Sequence, residues 1–317
     1  MVKMRIVFIG TSDFAVPSLN SLLAAGCEVC AVFTQPDKPA GRGQKLQMSP
    51  VKRCALEYCL RVFQPEKIRS EENRAIFETL GPDFIVVAAY GQILPAWLLG
   101  SARIAPVNVH GSLLPRYRGA APVTWAILNG ESITGVTTML MDQNLDTGAI
   151  LLKREVLLNQ IITGGELSEK LALVGAELLL PTLEGLRDHT IVPLPQNACE
   201  ASWAPKITKD IARISWNKTA WEIHNLVRGL NPSPVATTEH KGQNLRIFRT
   251  LPVTASTAES APGKFLGLTE CGMHIQCGQG TVLEVIEVQM PGKQRISGRA
   301  FAAGIRIKPN QSLFSLP

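Results

Sequence analysis

Asn108-Val109-His110-Gly111-Ser112-Leu113-Leu114-Pro115 and, further along, Asp146-Thr147-Gly148 carry the residue types in this chain best suited to chemistry. A carboxamide can hold a developing oxyanion, an imidazole can move a proton, and a carboxylate can orient the imidazole. No Ser or Cys sits in a nucleophile elbow. The set therefore suits direct transfer to an incoming nucleophile rather than a covalent relay. A lone His after a strand is more often structural, and Asp-Thr-Gly alone is an ordinary turn signal. The combination of Asn108, His110 and Asp146 is what makes a candidate site, because a site needs matched partners.

These residues need a scaffold, and the hydrophobic pattern supplies one. Arg5–Gly10, Glu28–Phe33, Phe84–Ala89 and Pro106–His110 read as short strands. Between them, helical stretches are expected over roughly Ala15–Ala25, Pro50–Cys59 and Arg69–Leu80, the first capped from Thr11-Ser12-Asp13. Alternation of this kind argues for an α/β fold, a parallel sheet with helices on both faces. Ligands bind such sheets beyond the carboxyl ends of the strands, where His110 and the loop after Ala89 fall. Thr137–Met141 reads as a further strand, with Ala149–Leu157 as its continuation or hairpin partner, and Leu167–Leu186 as a helix. His189–Lys206, with three prolines, is an extended connector. Thr219–Leu230 reads as an amphipathic helix. Beyond it lie short alternating runs punctuated by Gly and Pro, at intervals typical of a small β-barrel. A boundary near residue 205 divides the chain into domains 1–205 and 206–317.

The 317 residues suffice for two cores, and 45% apolar with 18% charged residues is ordinary for a globular protein. The basic start precedes an apolar run too short for a signal peptide. Phe84–Leu99 lacks charges, but Gly91, Gln92 and Pro95 interrupt it, which excludes a membrane span. Residues 1–200 hold 18 Lys and Arg against 19 Asp and Glu, whereas residues 201–317 hold 14 against 7. The whole net charge of +6 thus arises in the last third, which suggests an anionic macromolecule as partner.

Seven scattered cysteines fit free thiols in a reducing cytoplasm. Cys27 and Cys30 form one C-x-x-C but lack a second pair at metal spacing, so they read as buried structural residues and no metal is expected. Gly10-Thr11-Ser12-Asp13 is not a dinucleotide fingerprint, and no phosphate loop occurs. His189, His224, His240 and His274 suggest no function.

The run from Asn108 through Ser112-Leu113-Leu114-Pro115-Arg116-Tyr117-Arg118-Gly119-Ala120-Ala121-Pro122, with Asp146-Thr147-Gly148, resembles the folate-dependent formyltransferases. The resemblance extends to Thr34–Gly43 and Ser49–Lys52, to Tyr90-Gly91-Gln92-Ile93-Leu94-Pro95, and to Arg299-Ala300-Phe301. It covers nearly the whole chain and lies with those members whose acceptor is methionyl-initiator tRNA. It implies a Rossmann-like doubly wound parallel sheet followed by an OB-like β-barrel. The formyl donor it implies is 10-formyltetrahydrofolate. The catalytic residues it implies are Asn108 for the oxyanion, His110 for oxyanion stabilisation or proton shuttling, and Asp146, which orients His110 directly or through water. Ser112, Leu113, Leu114, Pro115, Tyr90 and Gly91 would wall the folate pocket. Asp13-Phe14-Ala15 is, by resemblance alone, a wall for the methionine side chain.

The stretch Lys38–Arg53 contains Lys38, Arg42, Lys45, Lys52 and Arg53 and no acid. A mobile basic loop of this kind suits a tRNA acceptor stem, ordered only on binding, and Lys38, Arg42 and Lys45 are its candidate contacts. Aromatic residues in the last third are few (Trp216, Trp221, Phe248, Phe265), so phosphate contacts rather than base stacking are expected there. Nothing demands a dimer, and a monomer is expected. Gly111 and Tyr117 also occur in aminosugar formyltransferases, which keeps an aminosugar nucleotide or another small amine open as acceptor. A nucleic-acid-binding protein with a vestigial enzyme domain is the remaining alternative, and the intact Asn108, His110 and Asp146 argue against it.

Overall fold

The computed structural model describes residues 3–40, 45–253 and 260–314. They form two compact units, one from residues up to Pro122, Ile133–Leu157 and Ser168–Pro205, the other from Val123–Ser132, Leu158–Leu167 and the chain from Lys206 onward. No helix among the described residues is long and apolar enough to cross a membrane.

The elements of the first unit run β1 (Arg5–Gly10), α1 (Val16–Ala24), β2 (Glu28–Phe33), β3 (Lys38–Ala40), β4 (Lys45–Gln47), α2 (Pro50–Glu57), β5 (Val62–Phe63), α3 (Glu71–Leu80), β6 (Phe84–Ala88), α4 (Ala96–Leu99) and β7 (Ala105–His110). After α5 (Pro122–Leu128), which from Val123 onward belongs to the second unit, come β8 (Ile133–Leu140), β9 (Ile150–Leu157) and α6 (Gly164–Arg187), which belongs to the first unit from Ser168. Seven strands make one sheet in the order β5-β2-β1-β6-β7-β8-β9. From β5 to β7 the pairs are parallel. The pairs β7–β8 and β8–β9 are antiparallel, so the sheet is mixed rather than wholly parallel. The short connection between β8 and β9 accounts for the second of these pairs, since a parallel crossover needs a dozen residues or more and usually a helix. Strand order reverses between β1 and β6, the switch point of this topology. There Gly10 is required by close approach: a Cβ on it would lie 2.9 Å from the Ala88 carbonyl oxygen.

The interior of β1, β2 and β6 is almost continuously buried, as expected for strands covered on both faces. On β7, Asn108 and His110 are two residues apart and therefore share one face. Val109 points the other way and meets α6, where a Cβ on Gly175 would stand 2.7 Å from its Cγ1. The expected cap at Ser12 is not formed. A short 3-10 turn, Asp13–Ala15, precedes α1, and the side chain of Ser12 makes no capping bond. Thr11 turns its hydroxyl to the Tyr90 carbonyl instead, at 3.0 Å.

The second unit contains α7 (Ala220–Gly229), β10 (Ala236–His240), β11 (Gln243–Val253), β12 (Phe265–Leu268), β13 (Met273–Gln276), β14 (Val282–Gln289), β15 (Ile296–Ser297) and α8 (Gly298–Ile305). Its sheet is antiparallel in the order β10-β11-β14-β13-β12, with β15 beside β14. Thr219 and Glu222 form a reciprocal capping box that starts α7. Trp216 is fully buried, stacks on Phe314 at 4.8 Å and donates its indole N–H to Thr238 at 2.9 Å. Phe248 and Phe265 are buried too, which leaves Trp221 as the exposed member of the four aromatics. The segment Leu158–Leu167 belongs to this unit because α7 holds its carbonyls. His224 Nε2 bonds Gln160 O at 2.8 Å, and Arg228 donates to Asn159 O and Ile162 O at 3.1 and 3.2 Å.

Candidate active site

The carboxyl end of β7 delivers Asn108 and His110 beside the loop that carries Asp146. Asn108 is 8% exposed, and its carboxamide makes no hydrogen bond to the described residues. A buried donor left unused by the described residues is suited to a developing negative charge. His110 is 6% exposed. Its Nε2 lies 2.9 Å from the Tyr117 carbonyl oxygen. That carbonyl can only accept, so Nε2 carries the hydrogen and, in the neutral ring, Nδ1 holds the lone pair. Nδ1 faces Asp146 Oδ2 at 3.8 Å. This is too long for a hydrogen bond but close enough for the carboxylate to stabilise a proton that arrives on Nδ1. The ring is thus oriented by the Tyr117 carbonyl, and the carboxylate acts on its charge.

Asp146 has φ 54, in the left-handed region, and its Oδ2 accepts the Gly119 N–H at 2.8 Å. Its turn is tight at Gly148, where a Cβ would stand 1.8 Å from the Leu140 carbonyl oxygen, so only glycine fits. Asp142 closes the start of the turn by accepting the Thr147 hydroxyl at 2.7 Å and the Asn144 N–H at 3.0 Å.

The Ser112–Pro115 loop is pinned to β8. Thr137 donates its hydroxyl to Ser112 O at 2.7 Å and accepts the Leu114 N–H at 3.0 Å. Ser112 is fully buried and gives its hydroxyl to Arg116 O at 2.7 Å. Leu114 packs with Met139 and Ile150, whereas Leu113 is half-buried and Pro115 buried. The Tyr90 ring lies in the core with Phe77, Leu94 and Leu98, and its carbonyl accepts the Thr11 hydroxyl and the Gln35 side-chain amide at 3.0 and 3.3 Å. Burial pushes the Tyr90 phenol up to about 12. Gly91, next in the loop, is exposed at φ 88.

The basic stretch is not an unstructured loop at its roots. β3 and β4 pair antiparallel, with Lys38 opposite Gln47 and Lys45 opposite Ala40, and Lys38 is exposed. The tip, including Arg42, lies outside the described residues. Lys52 is committed to Asp37 at 2.7 Å, and with Gln64 it holds the Asp37 carboxyl below its usual range. Cys27 and Cys30 are half-buried free thiols, pushed up by desolvation. No group of three or more metal-ligating side chains occurs among the described residues.

Three contributors escape a reading of the sequence. Tyr117 acts through its carbonyl, Thr137 through its hydroxyl on β8, and the connector residue Ser202 accepts the Tyr117 N–H at 2.9 Å. Backbone groups and partners remote in sequence leave no pattern in residue type, so no local signal could have found them.

The chain has close relatives. It is 44% identical over 310 residues to the methionyl-tRNA formyltransferase of Acetivibrio thermocellus, covering 98% of this chain and 99% of the relative. It is 46% identical to that of Solibacter usitatus, covering 98% of each. Among solved structures it is similar in fold to HypX from Aquifex aeolicus in complex with tetrahydrofolic acid, with TM-score 0.66 at 16% identity over 99% of this chain and 51% of that one. It is likewise similar to WlaRD, a sugar 3N-formyl transferase, with TM-score 0.67 at 19% identity over 93% of this chain and 100% of that one. Residues 4–183 match the formyl transferase family and residues 206–306 match the formyl transferase C-terminal domain. The chain therefore belongs to the formyl transferase family.

Proposed function

We propose that this protein transfers the formyl group of 10-formyltetrahydrofolate to the α-amino group of methionyl-initiator tRNA, for translation initiation. The observation that carries the chemistry is the end of β7, where the Asn108 carboxamide has no partner among the described residues and the His110 Nδ1 lone pair faces Asp146. The neutral amine attacks the formyl carbon, and Asn108 donates to the oxygen as it becomes an oxyanion. Before attack Asp146 accepts a proton from the incoming ammonium and passes it to water; ionised again, its carboxylate stabilises the imidazolium formed when His110 Nδ1 takes the second amine proton. The carbonyl then re-forms as the C–N bond to the folate breaks, and the leaving nitrogen takes the proton held on His110 Nδ1, which returns the ring to its neutral form. Ser112, Leu113, Leu114, Pro115, Tyr90 and Gly91 form the folate side of the site.

The acceptor reading rests on near-full-length likeness to enzymes named for methionyl-tRNA. It also rests on the excess of 14 basic over 7 acidic residues in the last third, most of the basic ones exposed. Lys38, Arg42 and Lys45 contact the tRNA, catalysis resides in residues 1–205, and residues 206–317 bind tRNA phosphates. The enzyme works in the cytoplasm as a monomer. A single-turnover assay with 10-formyltetrahydrofolate tests the reading, using methionyl-initiator tRNA, free methionine and an aminosugar nucleotide as acceptors. Rapid formylation of the charged tRNA alone is expected. Formylation of the sugar or the free amino acid at equal rate overturns the acceptor and leaves the basic third unexplained.

A further inference from the structure

We infer that Gln196, on the connector and outside every motif, is a positioning residue for Asp146. The inference rests on Asp146 acting in formyl transfer. Gln196 Nε2 lies 2.9 Å from Asp146 O and 2.7 Å from Gly148 O, so one amide donor group spans the two carbonyls of the turn. Its Oε1 accepts both Nε and Nη2 of Arg118, at 3.0 and 2.7 Å. Arg118 is 7% exposed and has no carboxylate partner among the described residues. A guanidinium only donates, so it fixes which end of the Gln196 amide points where: oxygen to Arg118, NH2 to the Asp146 turn.

The tie closes a ring of contacts around the carboxylate. Arg118 is itself clamped to the connector, its N–H donating to Ser202 O at 2.8 Å and its carbonyl accepting the Ala204 N–H at 2.7 Å. The next residue, Gly119, donates its N–H to Asp146 Oδ2. The carboxylate is therefore held by Gly119 and its own backbone by Gln196, and both holds depend on Arg118. Asp146 sits in the left-handed region that non-glycine residues adopt at a cost, and the bonds to its carbonyl and to that of Gly148 oppose relaxation of the turn. Displacing Oδ2 from His110 Nδ1 weakens the carboxylate's hold on the imidazolium without touching either substrate.

The test uses the full chain with Gln196→Ala and Gln196→Glu, alone and combined with Asp146→Ala. Single-turnover rates, KM values and melting temperatures are measured with 10-formyltetrahydrofolate and methionyl-initiator tRNA. Gln196→Ala is expected to lower kcat about 10- to 100-fold, the cost of a misplaced catalytic group, with both KM values unchanged. Gln196→Glu keeps the volume and the Arg118 contact but cannot donate to the two carbonyls. It is expected to melt near the parent and lose at least as much rate. In the Asp146→Ala background, Gln196→Ala is expected to add nothing. Parental kcat in Gln196→Glu, or full additivity of the two Ala variants, overturns the inference and makes Gln196 a packing residue. If Asp146→Ala alone is slow and Gln196→Ala is not, the inference fails while the site reading stands. If Asp146→Ala turns over like the parent, the site reading fails and takes the inference with it.

Discussion

The His110 ring is held by the Tyr117 carbonyl, 2.9 Å from Nε2, seven residues further along the same loop. A carbonyl is a fixed acceptor, so this one bond sets both the ring orientation and the tautomer, and it turns the basic nitrogen toward Asp146. Tyr117 itself has φ 61, a conformation rare for non-glycine residues, and its N–H is secured by Ser202. Local backbone geometry and a contact from the distant connector together decide which nitrogen of His110 is available to a proton.

Asn108→Ala should separate chemistry from folding. The carboxamide has no partner among the described residues, so its removal orphans none of their buried groups. Loss of an oxyanion donor lowers kcat about 10²- to 10³-fold. Single-turnover rates alongside thermal melts check this, with the melt expected to stay near the parent.

Gly148→Ala should damage the site through the backbone. The new Cβ would overlap the Leu140 carbonyl, at 1.8 Å, so the turn must open. A destabilisation of about 1–3 kcal/mol is expected, as for overpacking elsewhere. Turnover should fall further than folate affinity, because Asp146 moves with the turn. Denaturant unfolding and folate titration read the two effects.

Tyr90→Phe should be neutral or slightly stabilising, within about 1 kcal/mol, since the phenol oxygen is buried without a partner and the ring is core. The folded phenol is raised from 10.0 to about 12. Its contribution is thus fully present below the unfolded value and lost as pH rises through the folded one. The Phe variant should unfold less readily than the parent across that alkaline window, measured by melting temperature against pH.

His224 should make the second unit acid-sensitive. Burial, with the nearby Arg228 charge, depresses its folded pKa below 6.5. Its neutral form bridges Gln160 O and Thr250 Oγ1, at 2.8 and 3.0 Å. The contribution is present above the unfolded value and lost as pH falls through the lower folded one. His224→Gln should be less stable at neutral pH but show a flatter decline toward about pH 5. Urea midpoints across that range test the sign.

Arg42→Ala and Lys38→Ala should raise KM for the charged tRNA and leave folate affinity unchanged. Each lost phosphate contact should also reduce the salt slope of tRNA binding by about 0.7–0.9 units. Equal loss of tRNA and folate binding would assign these residues a role in folding instead.

Residue type and short spacing determined a good deal by themselves. The strand pattern announced β1, β2, β6 and β7 with small shifts at their ends, because apolar runs in covered strands are a local property. Asn108 and His110 had to share a face, since side chains alternate along a strand whatever surrounds it. The basic last third was equally plain, because charge is a sum over residues. Tertiary structure alone decided the rest. The turn to antiparallel pairing at β8 and β9, the hairpin at the roots of the basic stretch, and the membership of Leu158–Leu167 in the second unit all depend on partners distant in sequence. So does the state of the site. The tautomer of His110 comes from a backbone carbonyl, and the place of Asp146 from Gly119 and Gln196. Hydrogen bonds to backbone atoms are indifferent to residue type, and they act only once folding has brought their two ends within about 3 Å.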